Sequence, residues 1–340
     1  MLPILQKHFL DLLRFSTGIS SSQRPFFVSA EVTFRCNLRC GFCNIPDFNP
    51  IKNEAETGVM LKRLEECYNL GCRVISFTGG EPLMRQDLGT LAERCQDLGY
   101  ITGMVTNGLL LEKYAGSEWL HRMDTMAVSF LDDETGFNET RGRENAHAIV
   151  KKGIEAAVNQ GLSPILFCTL TGDTLRFAEK TAIFADSLGI RVYFTLVQRA
   201  PREDYDKIDY ASLKVRDTDE AFRRLEEIRR EYSCVRFDPD FEMMQATGGF
   251  NDHVDCQAAR TVVSLKPDGS VCLPCPPKSL LSIPVSDSLA EVWSREKATE
   301  IRRKRGIYAF CRDCQVNCMY VPSLIGHPIR LARWFRNAGK

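Results

Sequence analysis

Short strand-like runs of β-branched and aromatic residues alternate with longer amphipathic patterns between residues 27 and 197. The strand-like runs cover residues 27–34, 74–78, 101–106, 125–130, 165–170 and 191–196. The helical patterns between them cover residues 56–70, 86–98, 111–120, 143–160 and 174–188. Strands joined by single crossover helices pair in parallel. The pattern therefore predicts an α/β fold whose parallel sheet is either doubly wound or rolled toward a barrel.

Glycines mark the ends of four of these helical patterns. Gly71, Gly99, Gly161 and Gly189 stand where a helix C-terminus favours a residue with positive φ. Beyond the repeats, residues 198–235 are rich in charge: the first half is typical of a surface loop, and the second half predicts an amphipathic helix. Further on, the pattern predicts a hairpin turn at 266–271 and a helix over 288–305.

Composition narrows the class of protein. The chain has 340 residues with 44 Lys+Arg and 44 Asp+Glu, so no overall charge favours nucleic acid. It shows no signal peptide and no apolar run of ~18 residues that would span a membrane. Fourteen cysteines in such a chain indicate metal binding or thiol chemistry rather than disulfides. We expect a cytoplasmic protein.

Three cysteines follow the first predicted strand directly. Cys36, Cys40 and Cys43 have the spacing C-x₃-C-x₂-C. Three thiolates on one loop can hold three irons of a [4Fe–4S] cluster and leave the fourth iron open for a substrate or cofactor. Zinc, buried cysteines and a disulfide framework are the alternatives. Zinc usually takes four ligands in cysteine pairs or with histidines, and no such partner is near in sequence, so the cluster is favoured.

A second motif, Thr78-Gly79-Gly80-Glu81-Pro82, follows the second predicted strand. Two glycines allow the backbone to approach a ligand closely, and the carboxylate can accept hydrogen bonds from an ammonium group. The two motifs together resemble the signature of the radical S-adenosylmethionine (radical SAM) superfamily, with Phe42 at its aromatic position. By this resemblance, Gly79, Gly80 and Glu81 bind the amino group of SAM.

The resemblance implies a fold and a chemistry. The fold is a partial (β/α)₆ TIM-like barrel with the cluster and SAM at the C-terminal mouth of the strands. Reduction of the cluster, by a donor such as ferredoxin or flavodoxin, cleaves SAM to a 5′-deoxyadenosyl radical that abstracts hydrogen from a substrate. Asn107, in the turn after the third strand, and Ser129, near the end of the fourth, are further candidate SAM contacts. Ser129 is equally well explained as a strand hydroxyl bonded to backbone. No catalytic side chain is predicted.

Six more cysteines are grouped in the C-terminal part of the chain. They are Cys256, Cys272, Cys275, Cys311, Cys314 and Cys318. The segment resembles the SPASM or twitch extension of radical SAM enzymes, in which a hairpin and a helix hold auxiliary [4Fe–4S] clusters. Full SPASM domains have more cysteines and hold two clusters, so six indicate one auxiliary cluster. Which of Cys272, Cys275 and Cys318 are ligands stays open, and zinc binding in a structural protein is the alternative.

The remaining cysteines lie in helix or strand patterns among apolar neighbours, which is typical of buried packing. They are Cys67, Cys72, Cys95, Cys168 and Cys234. Cys168, on the fifth strand, is the one that could face the mouth of the barrel.

The substrate is the least determined feature. Relatives with auxiliary clusters modify peptides or proteins or make cofactors, and these are the two expected classes. Peptide-modifying relatives often carry an N-terminal leader-binding domain, for which 26 residues before the first strand are too few. Both ends of the chain are amphipathic or basic. Such ends either pack on the barrel or contact a membrane surface peripherally. If they contact a membrane, a lipid or isoprenoid is the alternative substrate.

We therefore divide the chain into an N-terminal amphipathic helix (1–26), a radical SAM partial barrel (27–235), a SPASM/twitch-like domain (236–320) and a basic amphipathic tail (321–340).

Overall fold

The computed structural model describes residues 24–45, 54–197, 208–237, 256–276 and 278–311. Within them, ten strands form one sheet in the order β10-β9-β8-β1-β2-β3-β4-β5-β6-β7. The strands are β1 (Phe27–Thr33), β2 (Val74–Gly79), β3 (Ile101–Thr106), β4 (Thr125–Ser129), β5 (Ile165–Leu170), β6 (Arg191–Leu196), β7 (Val235–Phe237), β8 (Val262–Leu265), β9 (Val271–Cys275) and β10 (Lys278–Ile283). The strands from β8 through β1 to β7 pair in parallel, and β9 and β10 are antiparallel. The sheet is not closed, which confirms the predicted partial barrel.

Helices follow most of the parallel strands. They are α1 (Thr57–Leu70), α2 (Leu88–Leu98), α3 (Leu111–Tyr114), α4 (Glu118–His121), α5 (Glu134–Arg141), α6 (Ala146–Asn159), α7 (Ala178–Ser187), α8 (Tyr210–Leu213), α9 (Thr218–Glu231), α10 (Ala258–Thr261), α11 (Leu289–Ser294) and α12 (Glu296–Arg303). Short 3₁₀ helices lie at Pro82–Met84, Leu175–Phe177 and Ala309–Cys311.

The first six strands agree with the sequence prediction to within a residue at each end. The four predicted C-terminal glycines all have positive φ, from +65° at Gly189 to +128° at Gly71. Two predicted helices were wrong in detail: 111–120 is broken into α3 and α4, and 288–305 is broken at Arg295, whose ψ of 152° is extended. The strand β7 and the helix α5 were not predicted.

The core lies between the sheet and its helices. On β1, Val28, Ala30 and Val32 are fully buried and belong to the same apolar cluster as Met60 and Leu64 of α1. Because side chains alternate along a strand, Ser29, Glu31 and Thr33 lie on the opposite, concave face of the sheet. This alternation leaves the polar residues of β1 on the face that a barrel turns inward.

The C-terminal hairpin continues the barrel sheet. Strand β8 pairs in parallel with β1, with Phe27 opposite Val262 and Ala30 opposite Leu265. Arg63 of α1 is fully buried and donates to the carbonyl oxygens of Gly269 (3.0 Å) and Pro284 (2.7 Å). One guanidinium therefore joins α1 to the residues just before β9 and just after β10, the two ends of this hairpin.

The predicted N-terminal helix and basic tail, together with Cys314 and Cys318, lie outside the described residues. No helix in the described ranges is long and apolar enough to cross a membrane.

Candidate functional site

The cysteine loop lies at the C-terminal edge of the sheet, directly after β1. Cys36, Cys40 and Cys43 are not in disulfides within the described residues, and all three are partly buried. A turn closes the second half of the loop, with the Cys43 amide donating to the Cys40 carbonyl at 3.0 Å. Leu38, between Cys36 and Cys40 in sequence, is buried and anchors the loop to the core.

The C-terminus of α5 holds this loop from one side. The Arg39 amide donates to the carbonyl of Arg141 (3.1 Å), and the Gly41 amide donates to that of Thr140 (3.0 Å). These are carbonyls that the end of a helix leaves without partners. Gly142 follows with φ of +62°, and a Cβ there would stand 2.6 Å from the Arg39 carbonyl oxygen. The helix thus ends in a residue without a side chain because the cysteine loop passes against it.

The glycine loop after β2 holds the cysteine loop from the other side. The Gly80 amide donates to the Thr33 carbonyl at 2.7 Å, and the Glu81 amide donates to that of Arg35 at 2.8 Å. A Cβ would stand 2.3 Å from the Thr33 oxygen at Gly79 and 2.1 Å from the Arg35 oxygen at Gly80. The close approach predicted for a ligand is therefore already made by the chain's own backbone.

Glu81 joins this loop to the turn after β3. Its carboxylate is fully buried and accepts hydrogen bonds from Leu83 N (3.1 Å), Thr106 Oγ1 (2.7 Å) and Asn107 N (2.6 Å). Burial raises the pKa of Glu81 to about 7, although these three donors act in the opposite direction. The carboxylate is thus a bridge between two loops, and its predicted contact with the SAM ammonium stays a prediction.

Asn107 extends the bridge to the cysteine loop. Its Nδ2 donates to Asn37 Oδ1 at 2.8 Å and lies 3.7 Å from Cys36 Sγ, while its Oδ1 accepts from the Leu109 amide at 3.0 Å. Sequence reasoning placed Asn107 near the site but missed Asn37, which stands between two predicted ligands of the cluster and carried no signal of its own.

Arg141 contributes a cation that sequence reasoning did not assign. Its guanidinium lies over the rings of Phe42 (4.8 Å) and Phe137 (5.0 Å), and the residue is buried. Among the described residues, no carboxylate lies within ion-pair distance of it. A buried guanidinium without an anion is costly, so this position is suited to a negatively charged ligand.

The remaining candidates on the barrel are placed as follows. Ser129 is the last residue of β4 and is partly exposed on the face opposite Met126 and Val128, which are core residues. Cys168 is buried in the core with Cys67, Cys72 and Cys95, as the packing prediction for the buried cysteines requires. Cys234 is half-buried, and its thiol donates to the Ala182 carbonyl.

Three of the C-terminal cysteines come together at the opposite end of β1. Cys256 and Cys275 both pack against Ala258 and Val262, at the start of β8. Burial, and then the neighbouring Cys256 thiol, raise the pKa of Cys311. Cys272 is buried on β9 and pairs with Ser264, two positions after Val262 on β8.

The cysteine loop fits an iron–sulfur cluster. No three His, Cys, Asp or Glu side chains in the described ranges converge as ligands of one metal ion. A cluster needs a wider spacing, because each thiolate binds a different iron. The loop has three partly buried thiols, is held by backbone bonds at both ends, and brings Cys40 near enough to Cys36 to contribute, after burial, to the raised pKa of the Cys36 thiol.

Comparison with known proteins decides the family. Residues 30–183 match the family model "Radical SAM superfamily", and residues 256–315 match "Iron-sulfur cluster-binding domain" (SPASM). The chain belongs to the radical SAM superfamily. As a radical SAM enzyme it binds S-adenosylmethionine and [4Fe–4S] clusters, and it needs an electron donor. The C-terminal match removes the zinc alternative.

One named relative supports this membership, and two solved structures share the fold. A probable GTP 3′,8-cyclase of Methanopyrus kandleri is 30% identical over 266 residues, which cover 74% of this chain and 83% of that protein. Streptococcus suis SuiB, solved bound to the precursor peptide SuiA, has a TM-score of 0.65 at 17% identity over 92% of this chain and 74% of its own. The structure of anSMEcpe with bound AdoMet has a TM-score of 0.62 at 17% identity, covering 92% of this chain and 99% of its own.

Proposed function

We propose that the chain reductively cleaves SAM and directs the resulting 5′-deoxyadenosyl radical to a substrate held on the concave face of the sheet. The observation that carries this proposal is the union of three loops after β1, β2 and β3 into one hydrogen-bonded unit. The Cys36–Cys43 loop, the Gly79–Glu81 loop and Asn107 are joined by the bonds described above. Ligands of open parallel sheets and barrels bind at this edge of the strands.

The residues of this edge have distinct proposed tasks. Cys36, Cys40 and Cys43 hold the [4Fe–4S] cluster, which supplies the electron for SAM cleavage when it is bound. The guanidinium of Arg141, beside Phe42, binds an anion, and that anion is the carboxylate group of SAM. Glu81 and Asn107 keep the loops in place, and Ser129 offers a hydroxyl on the concave face.

A single auxiliary cluster at the far end of β1 completes the proposal. The positions of Cys256, Cys275 and Cys311 support them as ligands. Cys314 and Cys318, outside the described residues, are available for the fourth ligand. The seven residues of β1 span about 20 Å at ~3.3 Å per residue, which leaves room for a substrate between the two sites.

The wall between the two sites is polar. Glu31, on the concave face of β1, accepts a hydrogen bond from Lys266 Nζ, which also donates to the Pro276 carbonyl at 3.2 Å. This ion pair links the barrel to the C-terminal hairpin at the predicted substrate position. A polar substrate is therefore favoured over a lipid.

Two classes of polar substrate have support. The relative named a probable GTP 3′,8-cyclase, which aligns over most of its length, supports a nucleotide such as GTP. The fold shared with SuiB, which was solved with a precursor peptide, supports a peptide.

The test is SAM cleavage by the reconstituted chain. With dithionite and SAM under anaerobic conditions, mass spectrometry should detect 5′-deoxyadenosine even without substrate. Two clusters correspond to about eight irons per chain, and the variant with Cys36, Cys40 and Cys43 replaced by Ala should lose about half of them. Cys234→Ala, at a half-buried cysteine away from both sites, is the matched control. Full iron content in the triple variant would refute the assignment of the cluster.

A further inference from the structure

We propose that Asn107 is a positioning residue for the N-terminal cluster. Its side chain donates an N–H to the sulfur of Cys36 and thereby raises the reduction potential of the cluster. This inference rests on the proposed function. The sequence analysis made Asn107 a candidate contact of SAM, whereas this inference gives it a role toward the cluster.

The hydrogen-bond network fixes which way the Asn107 side chain points. Its Oδ1 accepts from the Leu109 amide at 3.0 Å, so the NH₂ group faces the cysteine loop. That group has two hydrogens and two acceptors: Asn37 Oδ1 at 2.8 Å and Cys36 Sγ at 3.7 Å. Every hydrogen-bonding atom of the side chain is used in this orientation.

The backbone of Asn107 is fixed as well. Its amide donates to Glu81 Oε2 at 2.6 Å, and Glu81 is a fully buried carboxylate that also binds Thr106 and Leu83. A donor held in this way need not be reoriented when charge on the cluster increases. Hydrogen bonds to cluster sulfurs stabilise the more negative, reduced state, so their loss lowers the potential.

The decisive measurement is the reduction potential in the full, reconstituted chain. The N-terminal cluster is identified as the part of the reduced EPR spectrum that responds to SAM and is absent when Cys36, Cys40 and Cys43 are replaced by Ala. Asn107→Ser keeps an acceptor for the Leu109 amide but cannot reach Cys36. We expect the ratio of reduced to oxidised cluster at a fixed potential to fall about tenfold, which is about 59 mV for one electron.

Asn37→Ser is the matched control. It removes the other acceptor of the Asn107 NH₂ group and leaves the bond to Cys36, so its shift should be clearly smaller. An Asn107→Ser potential equal to that of the wild type overturns the inference, and so does an equal shift in both variants, because that would be a general disturbance of the loop.

Two further readouts complete the test. SAM cleavage by Asn107→Ser should be slow with dithionite and recover with a stronger reductant, whereas a merely structural defect would not recover. If Asn107→Ser does not retain the cluster, the potential is measured in Asn107→Asp instead, because aspartate matches the asparagine side chain in shape. An unchanged potential in that variant refutes the proposal. A wild type without any SAM-dependent signal would instead refute the proposed function itself.

Discussion

At the scale of single residues, the site depends on groups that face the protein rather than a ligand. Gly79 and Gly80 make room for the backbone of residues 33–35, and the Glu81 carboxylate is used by three donors of its own chain. Sequence reasoning assigned these residues to one site, and the structure brings their loops into contact with the cysteine loop. The sequence alone could not show that they face neighbouring loops, because Gly80 and its partner Thr33 are 47 positions apart in sequence and no local pattern encodes such a contact.

Replacement of Glu81 should weaken SAM binding. Glu81→Ala leaves the Asn107 amide, the Leu83 amide and the Thr106 hydroxyl without their buried acceptor, at a cost of about 1–3 kcal/mol for each unsatisfied group. We expect at least a tenfold weaker affinity, measured by equilibrium dialysis with labelled SAM. Glu65→Ala, at an exposed carboxylate on α1, is the control. Unchanged affinity in Glu81→Ala would show that the bridge is not needed for the pocket.

Gly80 should not tolerate even a methyl group. In Gly80→Ala the new Cβ meets the Arg35 carbonyl oxygen at 2.1 Å, and backbone cannot move aside as a flexible side chain can. We expect loss of the N-terminal cluster, seen as about half the iron. Gly58→Ala is the matched control, because nothing lies within 4 Å of its Cβ and alanine in a helix stabilises by roughly 0.5–1 kcal/mol. Normal iron content in Gly80→Ala would contradict the tight contact.

At the scale of elements, hydrophobic periodicity was enough for the six main strands and for most of the helices between them. It failed for α5, where Phe137 and Arg141 are the buried residues and no apolar stripe develops. That helix is stabilised by Asp133, whose carboxylate accepts from the Gly136 amide, and by the cysteine loop at its C-terminus. Both signals are polar, so a search for amphipathic faces passes over them.

The contact between α1 and the hairpin offers a test at this scale. Arg63→Leu removes the donor of the Gly269 and Pro284 carbonyls and leaves Glu66 without its partner. We expect about 3 kcal/mol lower unfolding free energy, because two carbonyls lose their donor at about 1–3 kcal/mol for each buried unsatisfied group, measured by urea denaturation. Arg94→Leu, which breaks an exposed pair with Glu65, should cost less than about 1 kcal/mol. Equal costs for the two variants would show that Arg63 does not fasten the hairpin.

At the scale of the whole molecule, the two cysteine groups lie at opposite ends of β1, and we propose separate roles for them. If the C-terminal cluster serves the substrate, a Cys256→Ala/Cys311→Ala variant should still form 5′-deoxyadenosine from SAM and should lose substrate turnover. Circular dichroism and the retained half of the iron control for folding, since ligation stabilises small domains. A folded variant unable to cleave SAM would mean that the two roles were assigned to the wrong groups.

The pairing of β1 with β8 has a consequence for biosynthesis. Phe27 lies opposite Val262, which is translated 235 positions later. At ~5–20 residues per second, β1 waits on the order of 10–50 s on the ribosome before that neighbour exists. During this time one side of β1 is an open sheet edge, the kind of surface on which nascent chains associate wrongly. Chains released early, without the hairpin, should therefore aggregate, even though every residue that we propose to bind SAM has already been made.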